Sequence, residues 1–402
     1  MYSFCFFQNL SVYILNLVLI SNIKFTEMYS SENILKEKDS YEIESRISNI
    51  ILQKQSYQSE RVIISDWNGS IHILRNHDGS RLQKIMNKKL FDSPILGMDE
   101  NRSKGISSDE LFIGTGDGKL KCYDAKNDRL IDFGEDPEKR PIVKIISTDS
   151  RLFTFTWEKA MLYWDITSKE CIFKDKLTAN FITAEYSDPF IIILFGNNTI
   201  AFINVNTYRQ ASPLRYKKIG DNSELTKSIS CYKTIDYLAL GDINGGIKVL
   251  QRKKKENGSN FELLSDKDQL SEDFTFIFVI KAHVVKIPQI IKTSSLDLNK
   301  DVEFPVNAIE FHPTNPQHIL SAGGDYSINL IDIETENGSK FKKYTSQDSE
   351  ILFTKPFTHL KLFSKGVSFI TAEQNSDYYN LDKDNLKNSP KTVIRLFSFS
   401  KN

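Results

Sequence analysis

The stretch FPVNAIEFHPTNPQHILSAGGDYSINLIDIE, Phe304 to Glu334, writes out three strands and the two turns between them. Val306, Ala308, Ile309 and Phe311 form a short first strand, and His312, Pro313 and Pro316 end it, because proline has no amide to give a ladder. Ile319 to Ala322 reads as a second strand, and Gly323, Gly324 and Asp325 supply a turn. The third strand alternates, with Ile328, Leu330 and Asp332 on one side and Asn329, Ile331 and Ile333 on the other. Three such strands in order make an antiparallel meander, which cannot bury both of its faces alone.

Copies of this unit therefore ought to recur, and they do. Turns followed by apolar alternation open at DWNGSIHIL (Asp66), TGDGKLKCYD (Thr115), TWEKAMLYWD (Thr156), FGNNTIAFIN (Phe195) and DINGGIKVL (Asp242). The corner residues Gly69, Gly118, Lys159, Asn198, Gly245 and Tyr326 lie 49, 41, 39, 47 and 81 residues apart. A period of about 40–45 residues belongs to WD repeats, and the one long interval contains a charged insertion at about 251–273. These turns, and the aspartates closing KLKCYD, LYWD and INLID, resemble WD repeats from about Arg46 to the C-terminus. The expected architecture is all-β, a seven-bladed β-propeller occupying residues 28–402 as one domain.

Lys plus Arg and Asp plus Glu both number 52, so the formal charge is zero and nothing in the balance draws the chain to nucleic acid or anionic lipid. Cys122, Cys171 and Cys231 fall in or beside strands of different repeats, without CxxC spacing, and with Cys5 they read as reduced core or near-core thiols. The apolar run LSVYILNLVLI near the N-terminus is short for a membrane span and no Lys or Arg precedes it. Met28 opens a polar segment soon after it, so residues 1–27 read as an upstream extension and Met28 as the working start. A segment near Ile34 to Ile43 is expected to pair with the last blade, because a ring closed in this way has no exposed edge there.

Blade one contains ISNIILQ, VIISDW and SIHILRNH; blade two runs from Ile95 to about Asp132, blade three from Ile142 to Phe173 and blade four from Phe181 to Val205. Blade five contains SISCY, DYLALGD and GIKVL, and a further strand, FTFIFVIKAH, follows the charged insertion. The basic run Arg252 to Lys255 reads as a solvated hairpin tip in preference to a nuclear import signal. Blade seven has HLKLF, VSFITAE and, after a polar loop, TVIRLFSF.

Little in the chain points to chemistry. GTGDGK, Gly114 to Lys119, has the glycines of a phosphate loop, but strands flank it on both sides where a Walker loop needs a helix. The six histidines show no HxxxH or HExxH spacing and there is no GxSxG elbow, so neither catalysis, a metal nor a cofactor is expected.

Several stretches narrow the resemblance. VIISDWNGSIHIL, FPVNAIEFHP with SAGGDYSI, and the terminal TVIRLFSFSKN resemble the WD-repeat spindle-checkpoint proteins of the Bub-three family. FTFIFVIKAH matches that family's Phe-Lys-Cys-His segment at Lys281 and His283, with alanine in place of the cysteine. LYWDI, IAFINV and SPLRY look equally like the paralogous Rae/Gle mRNA export factor of nuclear pores. The chain stops after its last strand, without the export factor's basic tail, and this inclines the expectation to the checkpoint family. The resemblance implies a non-enzymatic nuclear and kinetochore adaptor, with no membrane and no direct nucleic-acid partner. It would bind the GLEBS-type motif of checkpoint kinases or kinase-like proteins, and phosphorylated repeats of a kinetochore scaffold. The alternative is a nuclear-pore mRNA export adaptor, or a generic WD-repeat scaffold. Trp67 and Trp157 match the family's turn tryptophans and would contact the peptide. Lys227 and Lys281, with Lys248 as a compensating cation, would read phosphate; Gly246 stands where the family has arginine, which weakens that reading because a bidentate fork is lost.

Overall fold

The computed structural model describes residues 33–54, 59–77, 79–104, 109–208, 214, 216–219, 225–232, 235–253, 273–285, 302–333, 340–344, 355–364, 368–374 and 391–401. They form seven antiparallel sheets of four strands each, besides a two-stranded ribbon of Val284–Val285 with Val302–Glu303. Blades one to six are meanders over 47–89, 95–135, 142–176, 181–218, 226–281 and 306–344. Blade seven takes Phe357–Leu362, Ser368–Glu373 and Thr392–Lys401 from the C-terminal end and its outer strand, Asn33–Ile43, from the other end of the chain. The expected pairing of the Ile34 to Ile43 region is therefore present. The compact unit spans Leu35–Ser400, and the anticipated extension 1–27 lies outside the described residues.

Alternation explains why the blades stack. In blade four the strand Phe190–Phe195 sends Ile191, Ile193 and Phe195 toward blade three, and Phe190, Ile192 and Leu194 toward blade five. Both faces are buried, so the strand reads FIIILF without a polar break. Each of the seven apolar clusters joins one blade to the next, and the cluster of Ile47, Ile50, Val62 and Ile64 with Phe363, Ile370, Ile394 and Leu396 joins blade seven to blade one. The first strand of every blade touches the first strand of the next, all the way round. Short polar side chains on these strands clasp neighbouring blades: Asn49 donates to Leu96 O at 2.8 Å, Ser228 to Val306 O at 2.9 Å and Asn307 to Phe357 O at 2.7 Å. The ring is thus a closed seven-bladed propeller.

The six corners marked in the sequence all have positive φ: Gly69 at 79°, Gly118 at 82°, Lys159 at 62°, Asn198 at 59°, Gly245 at 79° and Tyr326 at 60°. Gly69 has no room for a side chain, since a Cβ would lie 2.1 Å from Phe91 O. GTGDGK is a hairpin corner between Glu110–Thr115 and Lys119–Asp124, as its flanking strands required.

The structure corrects details. Blade two extends to Glu135, blade three to Lys176, and blade four gains a short outer strand, Tyr216–Lys218. The second strand of blade six begins at Asn315, with Pro316 at its start, where a missing amide is tolerated. Phe274–Lys281 is the outer strand of blade five, so the charged insertion falls between its last two strands, which Lys253 N donating to Asp273 O at 2.8 Å joins at their ends. Most of that insertion, with Lys254 and Lys255, lies outside the described residues, whereas Gln251 and Arg252 are strand. Cys122 is buried and Cys231 half-buried, its thiol pushed up to about 12 by burial, but Cys171 is exposed. Cys171 starts the outer strand of blade three, where only Phe173 turns fully inward.

Candidate functional site

Antiparallel pairing places the sequence-predicted residues on one end of the ring. The first strand of a blade begins opposite the end of the second, as in Ile47 with Asp66, Ile142 with Thr156 and Thr226 with Asp242. The corner between second and third strands therefore shares that end with the start of the first strand. Trp67 and Trp157 sit in such corners, in blades one and three. Each corner is held by a side chain one residue before its tryptophan: Asp66 Oδ1 accepts from Asn68 N at 2.9 Å and Ser70 N at 2.8 Å, and Thr156 Oγ1 accepts from Ala160 N at 3.2 Å. The backbone ties each corner inward, Trp67 N donating to Arg46 O and Trp157 N to Pro141 O.

Both indoles line the mouth of one cavity, about 490 Å³, walled by first strands from all seven blades. Trp157 is 57% exposed and Trp67 is half-buried. Phe181 and Ile182 of blade four continue this apolar rim, and Leu225 and Ile243 of blade five are exposed at the same end. An indole offers a wide apolar face and one N–H donor, so such a rim can hold an extended chain crossing it.

Below the rim the channel turns polar. Lys361 forms an ion pair with Glu310 across neighbouring first strands. Burial opposes the charge on Lys361, but Glu310 and Glu185 outweigh it and hold the ammonium above the ordinary lysine range. His359 donates from Nε2 to Ser48 O at 3.3 Å, and Thr358 Oγ1 lies 2.9 Å from its Nδ1. Burial, with Lys361 and Lys144 nearby, lowers the His359 pKa to about 4, so the ring is neutral at physiological pH.

The three lysines occupy different places. Lys227 enters the channel wall from blade five, donates from Nζ to Asn307 Oδ1 at 2.6 Å, and has its pKa lowered by desolvation. Lys281 ends the outer strand of the same blade, with Nζ 3.2 Å from Asn244 O and 3.5 Å from Glu303. Three strand spacings, about 14 Å, separate the backbones of these two strands. Lys248 lies between them on the third strand, half-buried and paired with Leu240 and Val279. Gly246 has a structural role of its own. Its N–H donates to Asp242 Oδ1 at 2.7 Å, and a Cβ would lie 2.2 Å from Asp242 Oδ2, so no larger residue fits while Asp242 keeps its place.

Sequence reasoning missed a buried network at the junction of blades five and six. His283 lies with Nδ1 2.6 Å from Asp325 Oδ1 and Nε2 2.9 Å from Ser321 Oγ, and Ser327 Oγ donates to Asp325 Oδ2 at 2.7 Å. The connectivity is that of a Ser-His-Asp triad, yet His283, Ser321 and the Asp325 carboxylate are fully buried, so no substrate could reach them. Its work is structural, holding the corner of blade six to the chain leaving blade five. His283 in KAH and Asp325 in GGDYS were both visible in the sequence; only the fold brings them together across 42 residues.

No known family profile matches the chain. Two curated proteins are similar to it. The poly(A)+ RNA export protein of Schizosaccharomyces pombe is 20% identical over 224 residues, covering 53% of this chain and 59% of that protein. Protein Rae1 of Drosophila melanogaster is 21% identical over 319 residues, covering 76% of this chain and 79% of that protein. The chain thus spans about three-fifths of the length of the first of these relatives. Both fall on the Rae/Gle side of the resemblance, away from the checkpoint family toward which the sequence inclined.

Proposed function

We propose that this protein is a non-enzymatic adaptor of the mRNA-export type, which holds an extended segment of a nucleoporin-like partner across the mouth of its channel at the nuclear pore. The observation that carries this reading is the joint placement of Trp67 and Trp157, from blades two apart, on the rim of one closed ring. Similarity to an RNA export protein and to a Rae protein supports it over kinase docking at kinetochores. Lys227 lines the same cavity as the two indoles, which supports a role for it in meeting an acidic group of the docked segment; Lys248 and Lys281 stand two and three strands farther out in the blade.

A GLEBS-type peptide titrated into the folded chain tests the docking. Trp67→Ala and Trp157→Ala are each expected to weaken binding by about 30-fold or more, the scale of an interfacial tryptophan. Trp157→Ala, at an exposed position, should leave the melting temperature within about 2 °C. Unchanged affinity in both folded variants would remove the rim as the docking surface. Concentration of a tagged protein at kinetochores and not at the nuclear rim would return the checkpoint reading.

A further inference from the structure

We draw no further inference here: the strongest candidate, the cluster of charged side chains deep in the channel, with Lys144 of blade three and Glu185 of blade four beside the Lys361–Glu310 pair, belongs to the cavity already described, and no contact among the described residues points to a ligand of its own there.

Discussion

Removing the imidazole of His283 tests how the ring is held together. The ring is fully buried between Asp325 and Ser321. In His283→Ala the Asp325 carboxyl, itself fully buried, keeps the Ser327 hydroxyl as a side-chain donor but loses its partner at 2.6 Å. Removing one member of a buried hydrogen-bonded pair costs about 1–3 kcal/mol, against a total stability of about 5–15 kcal/mol for a folded domain. The second change, Asp325→Ala, removes the carboxyl that lost its imidazole partner. His283→Ala with Asp325→Ala should therefore lose less than the sum of the single losses, by about 1–3 kcal/mol of coupling. Urea denaturation of the two single variants and the double variant measures that cycle. A His283→Ala protein unfolding at the wild-type urea midpoint, or additive losses in the cycle, would refute the argument. In that event the junction of blades five and six would rest on its apolar cluster and on ties such as Ser228 to Val306 O.

Two further outcomes follow from close contacts and from burial. Gly69→Ala should destabilise by about 2–4 kcal/mol, because its φ is 79° and the new Cβ meets Phe91 O at 2.1 Å, whereas Gly196→Ala, whose nearest neighbour would lie at 3.6 Å, should change stability by about 0.5 kcal/mol or less in thermal melts. His359 has a folded pKa of about 4, below the ordinary histidine value, so the unfolded chain binds its proton first as pH falls. Its contribution is present above about pH 6.5 and is lost as pH falls toward 4, up to about 3 kcal/mol, and His359→Gln should flatten that part of a stability–pH curve.

The architecture was legible because it is repetitive. Six corner residues chosen from sequence spacing all have positive φ, one in each of blades one to six between the second and third strands, since a tight turn there favours a left-handed residue. The outer strands were harder to see. Cys171–Lys176 and Tyr216–Lys218 are short, charged and half solvated, so their hydrophobic signal is weak for the same reason that they make safe edges. Phe274–Lys281 was visible as a strand but could not be assigned to a blade, because the charged insertion separates it from its partner Gly246–Arg252.

The site was legible only in part. Trp67 and Trp157 are legible through a resemblance to family turn tryptophans, and their turn positions put both on the end of the ring where the cavity opens. The lysines could not be grouped, because membership of one blade says nothing about distance across it: Lys227 is on the innermost strand and Lys281 on the outermost. Gly246 shows the limit most sharply. In the sequence it marks only a departure from the family resemblance; in the fold, its missing Cβ is what allows Asp242 to hold the corner of blade five, accepting from Asn244 N at 2.9 Å and Gly246 N at 2.7 Å. An arginine at Gly246 would displace the Asp242 carboxylate that shapes the turn. Lys227, inside the channel mouth, donates instead to the amide oxygen of Asn307 at 2.6 Å, and desolvation lowers its pKa, so its ammonium meets an amide and not a carboxylate at that contact.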